Sequence, residues 1–149
     1  MNHLTLSLVD AETEEGTPYR AVSLLVDGVS LMELARAVET PFAQREGHPD
    51  LAGAYAWLSA NPSTRRALTP RAGAEDEKVT LLGCTCGEPG CWPLLARITQ
   101  DASSVRWSEF EQPHRGEESV AGHWSYAGFG PFVFERELYE RELDKLPLT

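Results

Sequence analysis

The chain of 149 residues carries 13 Lys and Arg against 23 Asp and Glu, a formal net charge of -10, with 42% hydrophobic and 24% charged residues. One domain is the expectation for that length, the composition excludes wholesale disorder and a coiled coil, and no apolar run approaches the ~18 residues of a membrane span. A strongly acidic chain opposes phosphate backbones and anionic lipid, so neither nucleic acid nor membrane is an expected partner.

Met1 to Glu15 has no basic leader and alternates polar with apolar residues, so it reads as cytoplasmic protein rather than signal peptide. Leu4, Leu6 and Leu8 fall on one face of a first strand over His3 to Val9. A polar connection over Glu12 to Pro18 leads into a second strand, Tyr19 to Val26, where Val22, Leu24 and Val26 alternate, and the two predict an antiparallel pair. Asp27-Gly28 closes the pair. Ser30 with Glu33 three residues on has the form of a capping box, and Leu31, Leu34, Ala35 and Val38 share a helical face, with Glu33, Arg36 and Glu39 lying elsewhere. Thr40-Pro41 predicts the end of that helix.

Residues 41 to 77 are punctuated by Pro and Gly and read as irregular, pinned to a core by Tyr55, Trp57 and Leu58. Arg65-Arg66 with Arg71 is the basic patch of this acidic chain; it suits a phosphate or an acidic partner, although solvated charge is the ordinary use. Three strands follow, Val79 to Gly83, Trp92 to Thr99 and Ser104 to Phe110, the last two joined by the polar turn Gln100 to Ser103. Phe132-Val133-Phe134 forms a short apolar segment, and Arg136 to Leu146 reads as a C-terminal helix. Trp92 and Trp107 fit strand faces. Trp57 and Trp124 fall in irregular stretches, where core packing is the ordinary role and partner anchoring the alternative. The fold class expected is α+β, a single domain with an antiparallel sheet of about five strands, one helix after the second strand and one at the C terminus.

All three cysteines lie within the eight residues Cys84 to Cys91, in Gly83-Cys84-Thr85-Cys86-Gly87-Glu88-Pro89-Gly90-Cys91-Trp92-Pro93. On an extended backbone Cys84 and Cys86 project to one face about 7 Å apart, and the Gly-Glu-Pro-Gly turn can fold Cys91 back towards them. Three thiolates make a partial tetrahedral shell suited to zinc. His114 is the expected fourth ligand, with His123 second and Glu88 or a water third. Two other readings stay open: thiols that merely fill space, and nucleophilic or redox chemistry at Cys86 and Cys91, with His114 or His123 as a base. A disulfide is disfavoured without a secretory signal. None of the common protease, hydrolase, nucleotide-binding or dinucleotide fingerprints is present.

From Leu81 to Arg115, the run Gly-Cys-Thr-Cys-Gly-Glu-Pro-Gly-Cys-Trp-Pro-Leu, then Val105-Arg106-Trp107 and Gln112-Pro113-His114-Arg115, resembles a family of small uncharacterised bacterial proteins. The resemblance implies a bacterial cytosolic source and a single domain, and it supplies no activity. The residues themselves lead to the expectation of a non-enzymatic accessory or protein-interaction module. Its zinc would be held by Cys84, Cys86, Cys91 and His114, and its acidic surface would meet a basic protein partner.

Overall fold

In the computed structural model, which describes residues 1–74, 76–88 and 90–148, the first hairpin forms as its alternation requires. Strand β1 (Leu4–Glu12) pairs antiparallel with β2 (Pro18–Val26), in a register running from Leu4 opposite Val26 to Glu12 opposite Pro18. Leu4, Leu6, Val22, Leu24 and Val26 are buried. Pairing extends beyond the apolar alternation because polar partners continue it, including an Arg20–Asp10 ion pair of 2.9 Å. The connection therefore shortens to Thr13–Thr17, closed by a Thr13 N–H donating to Thr17 O at 2.9 Å.

Asp27 and Gly28, both at positive φ, reverse the chain into the two-residue strand β3 (Val29–Ser30), which completes a three-stranded sheet. Helix α1 (Leu31–Arg45) begins where expected but without a side-chain cap from Ser30, and Glu33 pairs with Arg36 at 2.8 Å instead. The expected stop at Pro41 is overturned. Pro41 and Ala37, whose carbonyl loses its helical donor there, are both exposed, so water can satisfy that oxygen. Ala43 beyond it is fully buried and rewards continuation.

A second correction falls in the supposedly irregular third of the chain, which holds helix α2 (Pro62–Leu68). Its start carries a local signal: the Asn61 side chain accepts from Thr64 N–H at 2.9 Å, with Pro62 at the first position. The stretch before it is extended and stitches the molecule together. Val22 N–H donates to Leu58 O, Ala60 N–H to Arg20 O, and Ala56 and Gly83 exchange both backbone hydrogen bonds.

The expected single sheet of about five strands is two sheets. The second is four-stranded and antiparallel, in the order β4 (Lys78–Leu82), β5 (Leu94–Gln100), β6 (Ser104–Glu111) and β7 (Phe132–Glu135). Its middle strand starts at Leu94 rather than Trp92, which leaves Trp92 and Pro93 in the turn that follows the cysteines. The short apolar segment Phe132–Phe134 becomes a strand because it lies along β6, with Phe134 opposite Val105. Helix α3 (Arg136–Leu143) buries Tyr139 and Leu143. Trp107 Nε1–H donates to Tyr139 OH at 3.1 Å and Tyr139 OH to Leu68 O at 2.5 Å, tying β6, α3 and α2 at the centre of one apolar cluster. Just past α3, Lys145 Nζ donates to Leu6 O, while Glu142 accepts from Leu6 N–H, so side chains cover part of the open edge of β1.

Candidate metal centre

The cysteine turn is built on Gly83, whose backbone pair with Ala56 fixes where the chain leaves β4. Gly87 adopts φ +94, a left-handed conformation that costs an ordinary side chain about 1–2 kcal/mol. A Cβ there would lie 3.3 Å from Thr13 Cγ2, so the position is narrow as well as left-handed. Gly87 N–H donates to Cys84 O at 3.1 Å and Cys91 N–H to Glu88 O at 3.0 Å, giving two successive reversals. The connection between β1 and β2 braces the outside: Glu14 N–H donates to Thr85 O at 2.9 Å. The acidic loop and the cysteine turn are thus one structural unit, although 71 residues separate Glu14 from Thr85.

This folding brings the Sγ atoms of Cys84, Cys86 and Cys91 within 4.8 Å of one another. Sulfurs on a tetrahedral zinc, each about 2.3 Å from the metal, stand about 3.8 Å apart, so a modest contraction of this triangle meets the requirement. The three thiols are free; Cys84 and Cys86 are partly exposed and Cys91 is exposed. They could hold a metal ion.

Their electrostatics are those of one shared site. A hydrogen bond with the Glu88 backbone and a contact with the Cys84 thiol hold the Cys86 thiol below its ordinary range. Cys91, which hydrogen-bonds to Cys86 and Cys84 and feels their charge, is pushed up to about 11. The Cys86 thiolate forms readily, and Cys91 resists becoming a second one beside it. A cation at the centre would remove that resistance.

Among the described residues, no His, Asp or Glu ligand atom joins the three sulfurs within the same distance. His114, in a short turn of 3-10 helix (Pro113–Arg115) after β6, lies flat against Trp92, with centroids 5.7 Å apart and planes at 5°. His114 therefore sits on the side chain that follows Cys91, not in the sulfur triangle. His123 and Glu88 are exposed and also stand outside the group.

Trp92 is itself clamped. Trp124 meets it edge-on at 5.8 Å, and Arg115 lies over both indoles, 5.1 Å from Trp92 and 5.7 Å from Trp124. Glu46, at the end of α1, accepts from Arg115 Nε at 3.0 Å and from Trp124 Nε1–H at 2.5 Å. Trp124, for which core packing is the ordinary expectation and partner anchoring the alternative, is core. Among the described residues, the buried Trp92 Nε1–H has no hydrogen-bond partner.

The sequence reading missed a second acidic centre. Glu39, placed off the apolar face of α1, is fully buried and accepts from Gly53 N–H at 2.8 Å and from the hydroxyls of Tyr55 and Tyr126 at 2.5 Å each. Burial raises its carboxyl above the usual range, against the opposing effect of these hydrogen bonds. Burial likewise holds both phenols far above their ordinary range, so they remain donors. Gln112 Nε2 donates to Tyr55 OH at 3.2 Å and to Pro93 O at 3.0 Å, so this network reaches the end of the cysteine turn. The signal was present: Leu31, Ala35, Glu39 and Ala43 form a row at a spacing of four, the row that α1 buries.

Comparison with family models, with curated proteins and with solved structures gave no match. Among the described residues no helix is long and apolar enough to cross a membrane.

Proposed function

We propose that this chain is a zinc-binding accessory protein, in which Cys84, Cys86 and Cys91 hold one structural ion that locks the glycine-rich turn. The convergence of three sulfurs within 4.8 Å is the observation that carries the reading. Zinc is preferred because three thiolates suit a borderline-soft ion and the site then needs no redox chemistry. His114 is the proposed fourth ligand, since it stacks on the residue next to Cys91. Ligation would exchange that stack for a metal bond, so zinc should change the emission of Trp92. Because the ligands must stay reduced, a cytoplasmic setting belongs to the same proposal. The net charge of -10 supports a basic protein as partner, acting mainly on the rate of encounter.

Native mass spectrometry of untagged protein, purified with neither chelator nor added metal, tests the site. One zinc per chain, lost on acidification and absent from Cys91→Ser, is the expected result. An apo mass that persists after zinc is added would overturn it. His114→Ala should retain three-thiolate binding but weaken it at least about tenfold. An unchanged affinity would remove His114 from the shell and leave the thiolates.

A second reading has its own observation in the lowered Cys86 thiol, which is the character of a nucleophile. It predicts that Cys86 alkylates fast and alone, with or without chelator. The zinc site predicts that all three thiols resist alkylation until chelator is added.

A further inference from the structure

The three arginines that form the basic patch in the sequence have separate fates. Arg65 is consumed by the fold, donating to Leu146 O at 2.6 Å and to Asp144 at 2.8 Å, which docks α2 against the end of the chain. Arg71 has a long contact of 3.8 Å to Glu77, both side chains being more than half exposed. Such a pair contributes little and yields readily to a better acceptor. Among the described residues, no hydrogen bond or ion pair engages the side chain of Arg66, which is exposed.

Arg66 and Arg71 both line a cavity of about 470 Å³ between α2 and β4. That volume falls within the roughly 300–1,000 Å³ of small-molecule sites. The two guanidiniums are the only charged side chains on its wall among the described residues, and Ser59, Ser63 and Thr80 add hydroxyl donors beside the apolar Val79. In a chain carrying 23 acidic residues, a cavity with two cations and no carboxylate among its described lining residues is a local inversion of the molecule's charge, with Glu77 reaching only the outer Arg71 at 3.8 Å. The neighbouring cavity on the other side of α2 shares both arginines but also holds Glu140 and Asp144, so the inversion belongs to the first.

We infer that this cavity binds the phosphate group of a small phosphorylated molecule. Two guanidiniums match a dianion better than a single carboxylate, because each can present paired N–H donors to two of its three terminal oxygens, one oxygen being shared. Hydroxyl donors can take the remaining lone pairs, and Val79 offers an apolar surface for the rest of the ligand. The chain's net charge of -10 selects for compact ligands, since an extended polyanion would meet repulsion beyond the cavity.

The experiment is an amide NMR titration of the full chain with inorganic phosphate, alongside acetate and chloride at matched ionic strength. Saturable shifts confined to residues 58–67, Arg71 and residues 79–80, with a dissociation constant at or below about 1 mM, are expected for phosphate alone. The Arg66→Gln, Arg71→Gln double variant should lose at least about tenfold in affinity, and Arg66→Gln alone an intermediate amount. Both side chains are exposed, and an unchanged amide spectrum outside the cavity would verify that the variants fold. Shifts that chloride or acetate reproduces, absence of saturation, or affinity unchanged in the double variant would each overturn the site.

Discussion

Glu39 and the cysteine turn both gather acidic groups, but they complete them differently. Glu39 is buried under donors: a backbone amide and two phenols occupy its oxygens, and those phenols resist ionising. The three thiols stand at the surface and have chiefly one another and the Glu88 backbone as partners. The first centre is satisfied by neutral dipoles and asks for nothing further. The second remains electrostatically incomplete in a way that a cation would resolve. If the thiols hold the proposed metal, shortage of donors rather than burial of an acidic group marks the ligand site in this molecule.

The largest test of that contrast is metal removal. If zinc completes the cysteine turn, loading should stabilise the fold by about 4 kcal/mol at about a thousandfold excess of free zinc over its dissociation constant. Chelator should lower the melting temperature of the parent and leave Cys91→Ser unmoved. Glu39→Ala comes next. It strands two buried phenols and an amide, and denaturant unfolding should show a loss of about 3 kcal/mol whether or not metal is present. An effect of Glu39→Ala on zinc affinity exceeding about tenfold would show that the chain of contacts through Tyr55, Gln112 and Pro93 couples the centres, and would break the contrast.

Gly87→Ala should cost about 1–2 kcal/mol through its left-handed backbone, and more in the zinc-loaded protein if the turn must tighten around metal. The mildest effect is on pH dependence. With the folded carboxyl of Glu39 raised above its unfolded value, the folded state holds its proton longer. Its contribution to stability is complete below the unfolded pKa and declines as pH rises through the interval up to the folded pKa, by at most about 1.4 kcal/mol per pH unit. Glu39→Gln should remove that slope in unfolding titrations. A slope identical to the parent's would mean that another group sets it.

The first hairpin and the β5–β6 hairpin were legible because alternation and a polar turn are local properties, and Leu4, Leu6, Ala96 and Ile98 are buried as that alternation requires, whereas Leu8, the third of its row, is exposed. Leu31 likewise marked the start of α1. The gathering of Cys84, Cys86 and Cys91 could be anticipated because eight residues containing two glycines and a proline readily reverse on themselves. His114 was a different matter. Its position depends on Trp92, Arg115, Trp124 and Glu46, which come together from three distant stretches and hold the imidazole on an indole.

Alternation, helical periodicity and a cluster of a scarce residue are written in the order of the chain, so the sequence by itself determined the α+β class, the paired strands and a sulfur-rich turn. Only the tertiary structure decided that the strands divide into sheets of three and four, that α1 runs through Pro41, and that Glu39 turns inward. Each of those outcomes depends on partners remote in sequence: Gly53, Tyr55 and Tyr126 for Glu39, and the core around Ala43 for the helix beyond Pro41. A carboxylate or a helix breaker has a local preference worth about 1–3 kcal/mol, which several well-placed donors or buried contacts can outweigh. Local pattern sets what a segment tends to become, and packing sets which of those tendencies survives.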